Sequence, residues 1–579
     1  MKEITGISAS PGIVIGKVFY YIDDNITVPE YEIPQSEVEK EIERYKTAVG
    51  MAEQEILELK KNTSSNFVKE GRFLDSHILM LKDPDFSSKI VTGITEQKKN
   101  AEFILFKTAR SYIKQFKAID DPYLRERTVD IHDISRRVLN HLLYRERISL
   151  NDIQDEVILV THNLMPSDAI TMNKRMVKGI AMDAGGKTSH TAILARAFEI
   201  PAVLGLSDIT SHVRSGDDVI IDGNSGKVIV QPDEKTRVQY EKILKEWQKK
   251  ESELLTLNEL PAETRDGKLI KLYANIEIAE ETESAVVHGA DGIGLYRSEF
   301  LMLEPGKYYS EDEQYSTYVS VLEEMGDKPV TIRTLDVGGD KFISEAGDLD
   351  EKNPLLGWRA IRYCLAHKDI FRIQIRALLR ASAKGKLRIM FPMVSGVEEV
   401  DDLLEFLEEV KDELKEEGKN FDTNVPVGIM IEVPSAAVTT DILAGKVDFI
   451  SIGTNDLIQY TTAVDRGNER VAYLYQPFHP AVLRLLRMII DSAHAASIPV
   501  SMCGEMAGDP MAAVILLGLG LDGYSMSAFS IPEIKKIIRS TTMADAEEMV
   551  GTIMDMRSYK EIDKYVNKWM RGRFDFISL

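Results

Sequence analysis

Residues 177–196 read VKGIAMDAGGKTSHTAILAR, and they join an apolar run of strand type to a run of helical type. The residues over 177–182 favour a strand, whereas the apolar residues over 191–200 recur at helical spacing. The glycine pair that starts at Gly185 relaxes the backbone of the turn between them. The stretch therefore predicts a strand–turn–helix unit of an α/β domain, with His190 where the turn enters the helix.

His190 is a candidate acceptor for a phosphoryl group. Free backbone N–H groups at the start of a helix favour an anion, and a neutral imidazole, with an unperturbed pKa of about 6.5, is a competent nucleophile. Local sequence alone equally favours a capped helix with a structural histidine. A nucleotide-binding P-loop ending at Gly186-Lys187-Thr188 would need glycine at position 181, where Ala181 stands.

Composition narrows the class of protein. The chain has 579 residues, so roughly three or four domains of typical size are expected. Its 71 Lys and Arg against 93 Asp and Glu give a net charge of −22, which argues against nucleic-acid binding and suits a basic protein partner. Two cysteines, no signal peptide at the N-terminus and no run long enough to span a membrane predict a soluble, cytosolic protein.

The first half combines a helical block with scattered strand signals. Helical periodicity predicts four helices, over 36–62, 67–82, 86–118 and 122–145. Strand signals occur within 4–21 and then at 156–160, 177–182, 202–206, 218–221 and 227–231. The simplest account is one α/β domain formed by 1–30 and 146–232, into which the all-helical block 31–145 is inserted. A charged helical run over 233–261 follows as a linker helix.

The second half has a different rhythm, in which short apolar runs alternate with helical stretches. The eight runs are 271–275, 291–297, 329–335, 387–393, 426–432, 448–454, 499–503 and 522–526. This alternation is typical of an eightfold βα barrel, which we expect over 262–579.

Polar or reactive residues stand at the carboxyl ends of most of these runs. They are Asn275, Arg297, Arg333, Glu432, Asn455 with Asp456, Cys503 and Ser525, while Met393 ends the fourth run. Each one alone is best interpreted as a solvent-facing loop residue. Together they indicate an active site, because active sites of such barrels gather at that end.

The residue types favour a phosphorylated acid and a divalent metal ion. Arg297 and Arg333 can grip phosphate and carboxylate oxygens through planar forks, and Arg466 is a possible third. Glu432 and Asp456 are hard oxygen ligands of the kind that Mg²⁺ prefers. Zinc is disfavoured, since the sequence has no H-E-x-x-H and no paired C-x-x-C.

The two cysteines are interpreted differently. Cys503 is a candidate proton donor or nucleophile at the barrel face, although a buried small hydrophobe is the commoner fate of a lone cysteine. Cys364 lies inside a predicted helix and is assigned that packing role. Residues alone do not name the acid that the site would bind.

The motifs, taken in order, resemble enzyme I of the bacterial phosphoenolpyruvate-dependent sugar phosphotransferase system, the family of phosphoenolpyruvate–protein phosphotransferases. The matching segments are GISASPG at 6–12, GGKTSHTAILAR at 185–196, GIGLYRSEF at 292–300, RTLD at 333–336, NPLLGWR at 353–359, GTNDL at 453–457 and MCGE at 502–505. The likeness covers nearly the whole chain. Pyruvate phosphate dikinase and phosphoenolpyruvate synthase share the histidine and barrel motifs, but they carry a large nucleotide-binding domain for which this chain has no room.

The resemblance implies a role for each candidate. His190 is expected to be phosphorylated at Nε2, and Cys503 to protonate the enolate carbon to give pyruvate. Glu432 and Asp456 are expected to bind Mg²⁺. The implied phosphoenolpyruvate contacts are Arg297, Arg333, Asn455, Asp456 and Arg466.

The resemblance also implies partners and motion. The phosphoryl group would pass to the histidine phosphocarrier HPr docked on the helical insert, and the protein would be a homodimer through its barrels. A large swing about the linker 233–261 would let one histidine serve both the barrel mouth and the carrier.

Three departures from the family pattern stand out. Lys187 replaces a frequent arginine, Ala169 replaces a threonine after Pro166-Ser167-Asp168, and Val68 with Lys69 occupy positions that are acidic in some relatives, although Asp75, Asp83 and Asp85 remain. A non-catalytic phosphate sensor, the rival from another class, would typically have lost the histidine, a metal carboxylate or Cys503, and all are present.

Overall fold

The computed structural model describes residues 1–21, 28–62, 77–78, 80–118, 122–143, 150, 153–164, 172–186, 190–299, 309–337, 353–466, 468 and 470–574. The chain divides into two compact units, Met1–Gln248 and Lys249–Leu579. Among the described residues, no helix has the length and apolar character needed to span a membrane.

The first unit contains a mixed sheet of eight described strands. They are β1 (Lys2–Thr5), β2 (Ile7–Ser10), β3 (Ile13–Tyr20), β4 (Val157–Thr161), β5 (Val177–Met182), β6 (Ala202–Leu204), β7 (Asp218–Asp222) and β8 (Lys227–Val230). Their order is β1-β8-β7-β3-β4-β5-β6-β2, with β3 to β6 parallel and the outer pairs antiparallel. The carboxyl ends of β4 and β5 therefore meet at one edge, which is the edge that leads to His190.

A helical block lies in the chain between β3 and β4. Its described helices are α1 (Val38–Asn62), α2 (Pro84–Gln97), α3 (Ala101–Ala118) and α4 (Pro122–Leu142). They share an apolar core that includes Ile56, Ile90, Ile94 and Ile104, each at most 1% exposed. The predicted helix 67–82, the residues Val68 and Lys69, and Asp75 fall largely or wholly outside the described residues.

The prediction of one helix over 86–118 is wrong. The chain breaks between α2 and α3 at Lys98, whose φ of 51° is left-handed and ends α2. Asn100 then holds the connection, because its side chain accepts a hydrogen bond from Tyr31 N and donates one to Pro29 O. Helical periodicity alone does not reveal this break, since Tyr31 and Pro29, two of the partners of Asn100, lie about seventy residues earlier in the chain.

Two further α-helices are described after β4, namely α5 (His190–Ala197) and α6 (Glu234–Leu255). Gly185 has a φ of 106°, so the turn before α5 does use the conformational freedom expected of glycine. The helix α6 covers most of the range 233–261, over which a charged linker helix is predicted. Near its start, Tyr240 and Leu244 of α6 pack against Ile220 and Ile229 of the sheet.

The second unit is a closed barrel of eight parallel strands. A short strand, β9 (Ala262–Glu263), precedes the barrel and pairs antiparallel with its first strand. The eight barrel strands are β10 (Leu269–Ile276), β11 (Ile293–Arg297), β12 (Val330–Arg333), β13 (Leu387–Phe391), β14 (Val427–Ile431), β15 (Phe449–Ile452), β16 (Val500–Met502) and β17 (Gly523–Met526). Strand β10 pairs with both β11 and β17, which closes the ring. The predicted fold class, an α/β protein with an inserted helical block and a C-terminal (β/α)8 barrel, is confirmed.

Helices surround the barrel. They are α7 (Glu281–Val287), α8 (Glu311–Met325), α9 (Ile361–Ala366), α10 (Lys368–Ser382), α11 (Val397–Glu416), α12 (Pro434–Val438), α13 (Thr440–Leu443), α14 (Thr454–Thr462), α15 (Pro480–Ala495), α16 (Pro510–Gly518), α17 (Ile531–Arg539), α18 (Met543–Met554) and α19 (Tyr559–Arg573). Apolar residues of strands and helices together form one large core.

Close helix packing around the barrel gives a stability prediction. A Cβ atom at Gly518, the last residue of α16, would lie 2.2 Å from the carbonyl oxygen of Ala546 in α18. We expect Gly518→Ala to lower the free energy of unfolding by about 1–3 kcal/mol, because a backbone carbonyl cannot move aside cheaply. Gly551→Ala is the control in α18, where a Cβ meets nothing within 4 Å. It should raise stability by about 0.5–1 kcal/mol, and equal denaturant midpoints for the two variants would contradict the prediction.

Candidate functional site at the barrel mouth

The carboxyl ends of the barrel strands carry most of the predicted site residues. Arg297 ends β11, Arg333 ends β12, and Glu432 directly follows β14. The remaining members, Asn455 and Asp456 in the first turn of α14 and Cys503 just after β16, lie at the same end because all eight strands run in one direction. The structure thus brings these predicted residues to one mouth.

Arg333 is the central cation of the mouth. It is 8% exposed, and its guanidinium contacts Glu299 through Nη2 and Asp336 through Nη1, the latter at 2.9 Å. Burial disfavours the charge, but the two carboxylates outweigh it and raise the pKa of Arg333 above its ordinary value. A buried arginine held in this way presents fixed N–H donors, which is the arrangement that recognises an anion without prior reorganisation.

Asp336 and Arg359 were not among the residues predicted for the site. Asp336 Oδ1 accepts from Arg359 Nη2 at 2.8 Å, and the same nitrogen lies 3.5 Å from Asp456 Oδ2. The pKa of Asp336 is lowered, because Arg333 and Arg359 offset the effect of its burial. Asp336 therefore connects two arginines and, through Arg359, the candidate metal ligand Asp456. Both residues lie in the RTLD and NPLLGWR segments, so the sequence signal existed, but their mutual contact did not show in it.

Glu432 is a buried carboxyl group facing other carboxylates. Its side chain is 2% exposed, and Oε1 accepts a hydrogen bond from Met393 N at 2.7 Å. Burial, followed by the nearby charges of Asp456 and Asp336, raises the pKa of Glu432 to about 8. Gly453 permits this placement, since a Cβ there would lie 2.6 Å from Glu432 Oε2. A bound cation would stabilise the charged form of these neighbouring buried carboxylates, because it offsets their mutual repulsion.

The donor set at the mouth fits a hard divalent cation. Within the described ranges, no group of three or more His, Cys, Asp and Glu side chains is arranged to hold a metal ion. Mg²⁺, however, commonly takes one or two carboxylates and completes its shell with waters and substrate oxygens. Glu432 and Asp456 would supply these two carboxylates, and such an ion would offset both the burial and the repulsion that raise the pKa of Glu432.

Cys503 lies in an apolar pocket of the barrel interior. It is 4% exposed and clusters with Leu295, Met390, Met430 and Phe449. Burial raises the pKa of its thiol to about 11, although the Ser451 hydroxyl and Arg333 act in the opposite direction. The thiol is therefore protonated at neutral pH, which suits a proton donor better than a nucleophile.

The raised pKa predicts the pH dependence of Cys503 alkylation. In a Cys364→Ala variant, in which Cys503 is the remaining cysteine, the rate of reaction with iodoacetamide should rise about tenfold per pH unit from pH 7 to pH 9.5. The reason is that the thiolate fraction keeps growing until pH approaches the pKa. An unperturbed thiol levels off near its pKa of about 8.5. A plateau by pH 9 would show that the Cys503 thiol is not perturbed in this way.

Three other predicted contacts line the mouth less deeply. Arg297 Nη1 donates to Glu277 Oε1 at 2.6 Å. Asn455 Oδ1 accepts from Glu505 N at 2.9 Å. Arg466 is exposed, its backbone N–H donates to Gln459, and its side chain bonds to the Tyr475 hydroxyl. Arg466 therefore lies at the rim rather than beside Arg333.

His190 belongs to the first unit and begins α5, as predicted. Its approach is held by backbone bonds: Ala184 N donates to His162 O at 3.0 Å, and Ser207 N donates to Asp183 O at 3.0 Å. The departures at Lys187 and at 166–169 lie outside the described residues. Cys364, in contrast, is 2% exposed in α9, which confirms its packing role.

Comparison with known proteins places these features in a family. Three families of PEP-utilising enzyme domains match the chain. The N-terminal domain family matches residues 5–127, the mobile domain family matches 153–226, and the PEP-binding domain family matches 251–543. Enzymes of this group depend on a metal ion. The chain is also similar to the solution structure of an Enzyme I protein, with 37% identity, a TM-score of 0.37, and coverage of 42% of this chain and 99% of that one.

Full-length relatives agree with the domain matches. The phosphoenolpyruvate-protein phosphotransferase of Priestia megaterium is 43% identical over 566 residues, which span 98% of each chain. That of Geobacillus stearothermophilus is 43% identical over 568 residues, again 98% of each chain. With likeness of this extent and a barrel mouth that gathers the arginines, carboxylates and thiol described above, the chain belongs to the family of phosphoenolpyruvate–protein phosphotransferases.

Proposed function

We propose that this enzyme transfers the phosphoryl group of phosphoenolpyruvate to its own His190 and then to the histidine phosphocarrier HPr, releasing pyruvate as the first step of sugar phosphotransfer. The observation that carries the proposal is the buried cation of the barrel mouth, Arg333, held between Glu299 and Asp336 beside the protonated Cys503. A site of this kind fits a small phosphorylated acid whose leaving group, after transfer of the phosphoryl group, is an enolate.

In this proposal, residues of the barrel mouth bind the substrate and His190 is the nucleophile. Arg297 and Arg333 bind and orient phosphate oxygens, and Asn455 and Arg466 contact the substrate near the rim. His190 attacks phosphorus through Nε2, the bridging P–O bond breaks, and its electron pair stays on the enolate oxygen. Fixed donors aimed at the phosphate supply much of the rate, since they need no reorganisation as charge develops.

Proton transfer to C3 converts the enolate to pyruvate. The Cys503 S–H bond breaks, a C–H bond forms at C3 of the enolate, and the remaining thiolate regains a proton from water. Mg²⁺, when bound by Glu432 and Asp456, would neutralise phosphate charge as a Lewis acid.

The domain roles follow from the same proposal. Residues 1–30 and 146–232 form the phosphohistidine domain, 31–145 the HPr-binding subdomain, and 233–261 the linker about which the phosphohistidine domain swings. Residues 262–579 bind phosphoenolpyruvate and form the dimer contact of a cytoplasmic homodimer. Asp83 N-caps α2 by accepting from Phe86 N, and its acidic neighbour Asp85 lies in the first turn of that helix, so this end of α2 is a candidate contact for a basic carrier.

A labelling experiment tests the function. The protein is mixed with Mg²⁺ and phosphoenolpyruvate carrying ³²P, and pyruvate and protein-bound label are measured together. We expect one pyruvate per labelled chain, with an acid-labile, alkali-stable phosphate on the peptide that contains His190, and discharge of the label to added HPr. Label from ATP carrying ³²P in place of phosphoenolpyruvate would instead favour a dikinase-like enzyme. Label on another peptide would overturn the assignment of His190.

A further inference from the structure

An amide side chain lies directly beneath the backbone of Cys503. Asn275, in β10, donates through Nδ2 to Cys503 O at 3.0 Å and to Ser525 O at 3.2 Å. Its Oδ1 accepts from Ser525 Oγ at 2.5 Å. The opposite amide orientation would set the amide oxygen against two carbonyl oxygens, so the network assigns the amide unambiguously.

These contacts leave Asn275 no donor for a substrate. A primary amide has two N–H bonds, and both are directed at backbone carbonyls of the protein. Asn275 stands at the carboxyl end of its strand, where a sequence-based interpretation would place a substrate ligand. Its contacts instead show a side chain engaged in holding the protein.

The peptide unit of Cys503 is held on both sides. Its N–H donates to Ile452 O at 3.1 Å, and its C=O accepts from Asn275. The next residue, Gly504, passes so close to α14 that a Cβ there would lie 1.9 Å from Thr454 Oγ1. With the backbone clamped before and after the side chain, the direction of the Cα–Cβ bond of Cys503 is fixed.

The brace itself is supported by close packing. A Cβ at Gly294 would lie 2.3 Å from Ser525 Oγ and 2.7 Å from Tyr273 Cβ, so the space for the Ser525 hydroxyl depends on glycine in β11. Ser525 is fully buried and lies opposite Tyr273 in the β10–β17 pairing. Two strands, β10 and β17, and the Cys503 loop are thus joined through one amide, and glycine in β11 leaves room for this network.

We propose that Asn275 is a positioning residue that holds the Cys503 thiol over one face of the enolate, so that C3 is protonated from a single side. The inference rests on the proposed function, in which Cys503 is the proton donor. Asn275 touches no reacting atom in this step, and it acts through the carbonyl of Cys503.

The stereochemistry of the pyruvate methyl group tests this role. Phosphoenolpyruvate stereospecifically labelled with deuterium at C3 is turned over in tritiated water with Mg²⁺, and the configuration of the methyl group is determined. The unaltered protein should give one configuration. Asn275→Ala and the isosteric Asn275→Asp should give a nearly racemic mixture, because a displaced thiol lets the enolate leave and take its proton from water. The KM for phosphoenolpyruvate should change less than about threefold, whereas misplacement of a reacting group costs up to about a hundredfold in its own step.

Two companion variants separate the possible failures. If Cys503→Ala still gives one configuration, the proton-donor assignment of the proposed function fails. If Cys503→Ala gives a racemic product but both Asn275 variants keep one configuration, the positioning role of Asn275 is overturned. Ser525→Ala removes only the support of the amide and should give a partial loss of configuration. It provides the same test should the Asn275 variants not fold, and an unchanged configuration there would count against the proposal.

Discussion

His190→Ala is expected to abolish phosphorylation of the protein by phosphoenolpyruvate while leaving substrate binding to the barrel intact. The alanine side chain offers no lone pair to phosphorus, and no neighbouring atom of that side chain can substitute for it. Binding should persist because the candidate phosphate contacts, among them Arg333, belong to the other compact unit. Protein-bound ³²P should fall to background, and calorimetric titration with phosphoenolpyruvate and Mg²⁺ should change less than about threefold in Kd.

His162→Ala is the matched control for this experiment. His162 follows β4 at the same edge of the sheet, and its exposed ring contacts Asp183 at 3.1 Å. Its loss should leave phosphorylation nearly unchanged. If the label were lost in His162→Ala and kept in His190→Ala, the nucleophile would be His162 and the assignment of His190 would be wrong.

Arg333→Met is expected to lower kcat/KM for phosphoenolpyruvate by about a thousandfold or more. The change removes the most deeply buried candidate phosphate contact, and removing a preorganised donor of charge stabilisation costs about a hundredfold to a thousandfold by itself. It also leaves Glu299 and Asp336 buried without this cation, so the mouth becomes more negative towards an anionic substrate. The measurement is the steady-state rate of pyruvate release, together with the melting temperature, which should also fall.

Two control variants, Arg333→Lys and Arg388→Met, distinguish loss of a substrate contact from general damage to the barrel. Lysine keeps the charge but cannot donate in two directions through a planar fork, so it should recover only part of the rate. Arg388 is the second residue of β13 and therefore lies near the opposite end of the barrel, above the Phe449 ring at 5.8 Å. Equal loss of activity in Arg388→Met would mean that the Arg333 effect reflects general damage to the barrel rather than loss of a substrate contact.

Periodicity and strand direction explain why the positions of several residues could be predicted from the sequence. Arg297, Glu432 and Cys503 were assigned to one end of a barrel because each follows an apolar run, and parallel strands present their carboxyl ends at the same side. His190 was placed at a helix start by the glycine pair before it. These are local signals, and local chain geometry is enough to produce them.

Contacts between distant segments escaped the same reasoning. The break at Lys98 depends on Asn100 reaching Pro29 and Tyr31, and no pattern within 86–118 announces it. Arg359 became part of the site only when the barrel brought it to Asp336 and Asp456.

By itself, the sequence determined the α/β and barrel architecture, the family, and which residue types stand at the carboxyl ends of the strands, because these depend on spacing along the chain. Only the tertiary structure decided which of those residues touch. It brought Asn275, one of the polar residues at the strand ends, to the carbonyl of Cys503, and it placed Asp336 between two arginines. The physical reason is that hydrogen bonds and burial act over a few ångströms in space, whatever the separation in sequence.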